Sequence, residues 1–237
     1  MLGTWMSIGS PVIAEIAAHS GFDWLLFDLE HGNEAEAALP AQLRAISATH
    51  CKAIVRVGAI YPDLIARVLD WGAHGIMAPR INTAAEAESL VQAAHYAPRG
   101  RRGYSRSART YGYGLNPPAT SADITPPIIM AQIETIEGVQ NTAAITAVDG
   151  IDVLFIGPAD LQFDLQARPH LADFDYPTAL ETVNQIASSA GKSTGILIRD
   201  QAQLQSHRDL GFTHIAIDSD LAILRKGYQQ ILHPPTS

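Results

Sequence analysis

Ile128-Ile129-Met130-Ala131-Gln132-Ile133-Glu134 opens apolar at every position and closes on an amide and a carboxylate. Side chains in a strand alternate faces, so Ile128, Met130, Gln132 and Glu134 share one side and Ile129, Ala131 and Ile133 the other. Both sides begin apolar, as in a strand covered on both faces, and such strands belong to parallel sheets. Only the first side turns polar, and it does so at the C-terminal end.

Runs of the same kind recur along the chain, over residues 3–8, 24–28, 53–57, 75–79, 153–156, 194–198 and 214–218. Amphipathic stretches fill the gaps and predict helices over 11–19, 34–48, 61–71, 84–96, 138–147, 176–190, 201–210 and 221–232. Ser10 followed by Pro11 is a helix start signal, since proline's missing N–H is no loss at the first helical position. Eight strands each followed by a helix predict a (β/α)8 TIM barrel spanning 1–237 as a single domain. A doubly wound open sheet is the competitor, but no Gly-rich phosphate turn follows the first strand. The irregular stretch 98–127, rich in Gly, Arg, Tyr and Pro, interrupts the alternation without ending it. A loop of that length is functional or interfacial. Beyond the tail His233-Pro234-Pro235 there is no low-complexity tract.

Composition narrows the function classes. A net charge of −8 argues against a general nucleic-acid or anionic-membrane binder. The arginines at 99, 101, 102, 106 and 109, interleaved with Tyr104, Tyr111 and Tyr113, are therefore expected at an interface or a substrate mouth. Cys51 is the sole cysteine, so no internal disulfide forms, and its apolar neighbours mark it as a packed residue. No apolar stretch approaches the roughly 20 residues that span a bilayer, and the N-terminus lacks the order of a signal peptide. A cytoplasmic protein is the expectation.

In a (β/α)8 barrel the reactive groups end the strands or follow them. Glu134 ends the fifth strand; it is either a site carboxylate or the structural ion-pair partner of Arg56. Asp160 follows the turn Gly157-Pro158-Ala159 after the sixth strand, and the alternative for it is a helix cap. Two carboxylates from neighbouring strands, with room for water and substrate oxygens, suit a hard cation such as Mg²⁺ or Mn²⁺. Arg56 ends the third strand, where a cation needs an anion: Glu134, another structural partner, or a substrate carboxylate and developing enolate. Asp28 and His31 follow the second strand and are spaced for a carboxylate–imidazole pair.

Taken in order, Gly21-Phe22-Asp23-Trp24-Leu25-Leu26-Phe27-Asp28-Leu29-Glu30-His31-Gly32, then Arg56, then Gln132-Ile133-Glu134-Thr135, then Phe155-Ile156-Gly157-Pro158-Ala159-Asp160-Leu161 resemble the class II pyruvate aldolases. That is the family of 4-hydroxy-2-oxoheptanedioate and 2-keto-3-deoxy sugar-acid aldolases. The segments Leu69-Asp70-Trp71-Gly72-Ala73-His74-Gly75 and 98–103 carry the likeness further. The resemblance implies a homohexamer that uses Mg²⁺, Mn²⁺ or Co²⁺, often with the last helix exchanged between subunits. It implies that Glu134 and Asp160 hold the metal and that Arg56 binds pyruvate and stabilises the enolate. His31 matches the base, Asp28 and Asp70 the acids that tune or orient it, and Gln132 and the backbone at Ala159 substrate-contacting positions. The substrates so implied are a 2-oxo acid and an aldehyde.

Three departures from the family pattern stand out. The helix that commonly precedes the first strand is expected to be missing or very short. Gln162, Phe163 and Asp164 stand where small residues are usual. These bear on the aldehyde or acyl-group preference and not on the metal, whereas Ile217-Asp218-Ser219-Asp220, unusually acidic, bears on either point. Rival chemistries on the same residues are oxaloacetate decarboxylation and acyl-CoA lyase action, for which the chain is short of a nucleotide surface. A non-catalytic 2-oxo-acid-binding barrel is the alternative from another class.

Overall fold

The apolar runs become eight parallel strands: β1 (Leu2–Met6), β2 (Trp24–Asp28), β3 (Lys52–Arg56), β4 (Gly75–Ala78), β5 (Ile128–Ile133), β6 (Val153–Ile156), β7 (Ser193–Ile198) and β8 (His214–Ser219). Each pairs with the next in chain order and β8 returns to β1, closing a barrel. The structure, a computed structural model, describes residues 1–33 and 36–233. Glu34, where the second helix is expected to begin, and Pro234-Pro235 lie outside the described residues.

The helices are α1 (Pro11–His19), α2 (Leu39–Ala45), α3 (Pro62–Asp70), α4 (Ala84–Ala94), α5 (Ile136–Gln140), α6 (Thr142–Thr146), α7 (Pro158–Ala167), α8 (Tyr176–Ser189), α9 (Leu204–Asp209) and α10 (Asp220–Leu232). Caps set several starts: Ser10 accepts from the Ile13 N–H, and Thr83 and Glu86 form a reciprocal capping box on α4. Two expectations need correction. The helix expected over 138–147 is two short ones that meet at Asn141. The spacing of apolar residues predicts no helix over 158–167, yet α7 is there. It carries no apolar stripe, and Leu161 is its buried residue. Its start signal is in the sequence all the same, with Gly157 as cap and Pro158 in the first turn.

Strand parity divides the core. Trp5, Trp24, Leu26, Ile54, Met130 and Phe155 point inward and fill the lumen, while the opposite faces pack against the helices. Phe155 meets Trp5 at 5.6 Å and Trp24 edge-on at 6.0 Å between ring centroids. Gly195 gives them space, because a Cβ there would stand 2.4 Å from the Phe155 ring. The interior is thus a packed plug rather than a pore. Cys51 is buried at the start of β3, and that burial pushes its thiol up to about 11, so it is inert as a nucleophile.

The stretch between α4 and β5 connects the end of a helix to the start of a strand, so it lies at the N-terminal face of the barrel. Of the interface and the substrate mouth expected for this loop, the mouth of its own barrel is therefore corrected. Arg102 anchors it, donating to Asp70 at 2.5 Å and lying 4.5 Å from the Tyr96 ring centroid. Arg109 donates to the Trp71 carbonyl. A cleft of about 350 Å³ lined by Gly72, Arg102, Tyr111 and Pro127 belongs to this lower face. No helix among the described residues is long and apolar enough to cross a membrane.

Candidate active site

β2 and β3 pair in register with Asp28 opposite Arg56, so both side chains enter the mouth from the same face. The Asp28 carboxylate takes the guanidinium in a two-pronged grip, from Nε at 2.9 Å and Nη2 at 2.7 Å. It also accepts from the backbone N–H groups of Glu30 and His31. Burial alone would raise the Asp28 carboxyl, but the Arg56 bonds and charge outweigh it and hold it below the usual range. The third Arg56 nitrogen, Nη1, faces Glu30 at 3.1 Å, and the Trp5 ring centroid lies 5.4 Å from the guanidinium. The partners of Arg56 are therefore Asp28 and Glu30, and the structural ion pair with Glu134 considered from sequence is not formed.

Asp28 is fully engaged, so it does not pair with the His31 ring as its spacing suggests. The carboxylate beside that ring is Glu30, with Oε1 3.8 Å from Nε2. The His31 side chain is 69% exposed, whereas Glu30 is buried to 8%. Burial raises the Glu30 carboxyl even though Arg56 and His31 pull the other way.

On the far wall, the Glu134 side chain is held at both oxygens. Oε1 accepts from the Arg80 backbone N–H at 2.9 Å and Oε2 from Gln132 Nε2 at 2.6 Å. Burial, then the neighbouring Asp160 charge, push its carboxyl up to about 7. Gly157 is part of the same cradle. A Cβ there would stand 2.3 Å from Glu134 Oε2 and 2.8 Å from Gln132 Nε2, so no larger residue fits beside the carboxylate. Ala159 and Asp160 are exposed in the first turn of α7, and the expected Gly-Pro-Ala turn is that helix start. Its free N–H groups and dipole favour an anion.

Asp70 is not brought to this group within the chain. It ends α3 at the lower face, bonded to Arg102. The other residues singled out in the sequence also have structural duties. Asp164 accepts from the Ile136 N–H and pairs with Arg168, and Phe163 is exposed on the outside of α7. Asp218 pairs with Arg199 and Lys226, and Asp220 accepts from the Ser7 and Ile8 N–H groups. Sequence reasoning missed Glu30 and Arg80. Both carried a signal, since Glu30 sits between two chosen residues and Arg80 is a cation directly after a buried run, as Arg56 is.

Several features bear on a cation. Among the described residues no three His, Cys, Asp or Glu converge on one point, so the protein would supply only the Glu134 and Asp160 carboxylates. A hard divalent ion bound by one or two carboxylates, with water and substrate completing its sphere, has that ligand set. Gln132 Oε1 is buried beside Glu134 with no hydrogen-bond partner, an acceptor left open where such an ion and its waters would lie. The residues present fit the group.

The chain matches the HpcH/HpaI aldolase/citrate lyase family model over residues 1–227. It is 37% identical to a hydroxypyruvate/pyruvate aldolase of Paraburkholderia phytofirmans, covering 98% of this chain and 92% of the relative. It is 42% identical to a 4-hydroxy-2-oxovalerate aldolase of Novosphingobium aromaticivorans, covering 95% and 86%. A solved structure of a protein of that family from Burkholderia cenocepacia superposes with a TM-score of 0.88 at 33% identity, covering 98% and 93%. With the barrel closed as expected and nearly the whole length matched, the chain belongs to the HpcH/HpaI aldolase/citrate lyase family.

Proposed function

We propose that this carbon–carbon lyase cleaves a 4-hydroxy-2-oxo acid to pyruvate and an aldehyde with the help of a divalent metal ion, Mg²⁺, Mn²⁺ or Co²⁺. The observation that carries the reading is Arg56, buried at the mouth and locked by Asp28, with a Gln132–Glu134 pair whose amide oxygen is open and whose carboxylate feels the Asp160 charge.

Glu134 and Asp160 would hold the ion, which when bound supplies Lewis-acid polarisation of the 2-oxo group. Asp28 fixes the Arg56 fork and leaves N–H groups on Nη1 and Nη2 for the oxygen that gains charge. Donors already in place at that oxygen cost no reorganisation when the charge develops. The α7 N-terminus, at the Ala159 backbone, suits the substrate carboxylate. His31 takes the 4-hydroxyl proton, the C3–C4 bond breaks, and its electron pair passes to C3 and the C2 oxygen. Protonation at C3 gives pyruvate, and the aldehyde departs. Glu30, beside the ring, favours the imidazolium formed in the first step. None of the three lysines, Lys52, Lys192 and Lys226, ends a strand at the mouth, so no Schiff base is needed.

The proposed assembly is a homo-oligomer, a hexamer with the last helix exchanged, acting in the cytoplasm. α10 supports it, since Tyr228, Ile231 and Leu232 are largely exposed on its surface. Any role of Asp70 beside His31 requires such a neighbour, because α3 ends at the opposite face of its own barrel.

A panel of 4-hydroxy-2-oxo acids, with pyruvate detected by a coupled reaction, tests the function. Cleavage is expected with added Mg²⁺, Mn²⁺ or Co²⁺ and is lost in excess chelator. His31→Ala should lower turnover by roughly 10²–10⁴-fold, the usual worth of a general base. Full cleavage in chelator would sink the metal assignment, and normal turnover of the variant would sink the base.

A further inference from the structure

Arg80 follows β4 with φ +50°, a left-handed conformation that residues with a Cβ seldom hold. Strain of this kind persists where the surroundings impose it, most often at functional sites. Here the conformation aims the Arg80 N–H at Glu134 Oε1 and sends the side chain out over the mouth. That side chain has no committed partner. Its nearest anion is Glu30 Oε1 at 3.7 Å, beyond hydrogen-bond reach, and Glu30 already faces Arg56 at 3.1 Å. The guanidinium is 67% exposed. A structural ion pair would bury or engage it; this one does neither.

The separation of this exposed cation from His31 is bounded. Both Arg80 Nη2 and His31 Nε2 approach the same oxygen, Glu30 Oε1, at 3.7 and 3.8 Å. The guanidinium is therefore no farther from the imidazole than those two distances laid end to end. In the aldol reading His31 takes the proton from the 4-hydroxyl, so C4 lies beside His31. The carbons beyond C4, which leave as the aldehyde, then extend from His31 towards Arg80.

We propose that Arg80 is a specificity-determining residue for the aldehyde half of the substrate and binds a carboxylate at its far end. The proposal rests on the aldolase function argued above. The span from His31 to Arg80 suits an aldehyde carrying its carboxylate roughly two or three carbons from the carbonyl. Arg56 and the α7 N-terminus are taken up by the pyruvate half, so beyond C4 the exposed cation offered to a second anionic group is this guanidinium. The two parallel N–H bonds of an arginine fork match a carboxylate in geometry as well as charge.

The test is condensation of pyruvate, with added Mn²⁺, onto succinic semialdehyde and onto pentanal, a neutral aldehyde of similar length. The readout is the ratio of kcat/KM for the two. The wild-type protein is expected to favour the semialdehyde, and Arg80→Gln, which keeps the backbone N–H, should lower the ratio roughly tenfold to a hundredfold through KM. Arg80→Lys, which keeps the charge but not the fork, should fall between them. A ratio within twofold of wild type in Arg80→Gln overturns the proposal. Should that variant condense neither aldehyde, the wild type carries the test. Its ratio must fall as sodium chloride is raised, because the attraction is screened, and a ratio indifferent to salt overturns the proposal equally. A wild-type protein that condenses pyruvate with neither aldehyde is a different result, and it removes the aldolase reading itself.

Discussion

Arg56→Ala is expected to remove roughly 3–5 kcal/mol of folding stability together with at least a hundredfold of turnover. The two losses share a cause. Arg56 is the cation between Asp28, which is buried, and the Glu30 side chain, which is 8% exposed, and it makes three of its nitrogens available to them. Its removal leaves two carboxylates close together in a poorly solvated place, Asp28 held only by two backbone N–H groups and Glu30 only by the more distant Arg80 and His31 side chains. Their charge is then the main penalty, so the deficit should shrink as pH falls and the carboxylates protonate. Denaturant curves for wild type and variant at pH 8 and at pH 5 check this. A deficit that is equal at both values would show that lost packing, not unpaired charge, is responsible. Retained cleavage of a 4-hydroxy-2-oxo acid would remove Arg56 from the mechanism altogether.

Glu134→Gln is expected to act in opposite directions on activity and stability. As a proposed metal ligand beside the reacting oxygens, the carboxylate should be worth at least a hundredfold in turnover. In the folded protein it is expensive. Burial and the Asp160 charge push it up from the ordinary glutamate value of 4.5 to about 7. The folded form therefore holds a proton that the unfolded chain has already lost between those values, and stability falls as pH rises through that window. Glutamine has the same shape and no charge. Its oxygen can accept from the Arg80 N–H, and once the Gln132 amide turns over, its NH2 can donate to Gln132 Oε1, which now has no partner. With chelator present at pH 8 the variant should be more stable than wild type by roughly 1–3 kcal/mol, and near pH 4.5 the gain should vanish. Thermal melts at the two pH values decide it, and a variant that melts lower at pH 8 contradicts the account of the Glu134 carboxyl.

The strands were legible because a doubly covered strand needs apolar residues on both parities, and β2 and β6 have the predicted limits. The site residues at strand ends were legible for the same reason, since a polar group that ends such a run needs a use. What the sequence left open was pairing. Asp28 and His31 are three residues apart, yet Arg56, from another strand, takes Asp28 and leaves the ring to Glu30. Asp70 shows the same limit over a longer distance. Its surrounding motif is recognisable, but only the direction of α3 reveals that it lies at the lower face. α7 escaped the periodicity because it packs through Leu161 rather than along a stripe, and the placement of the 98–127 loop follows from topology, not composition.

The filled lumen also sets a traffic rule. Trp5, Trp24 and Phe155 close the barrel from below, so everything enters and leaves through one opening. Arg56, Gln132 and Glu134, which would face the pyruvate half, are buried at 7, 3 and 3% exposure, whereas His31 and Arg80 stand near the rim. The aldehyde half then lies above the pyruvate half, like the upper of two parcels in a chute. Cleavage would release aldehyde first and pyruvate last, and synthesis would load pyruvate before aldehyde. In product-inhibition experiments pyruvate should therefore compete with the 4-hydroxy-2-oxo acid and the aldehyde should not. The reverse pattern would mean that the shallow half of the mouth is not where the aldehyde lies.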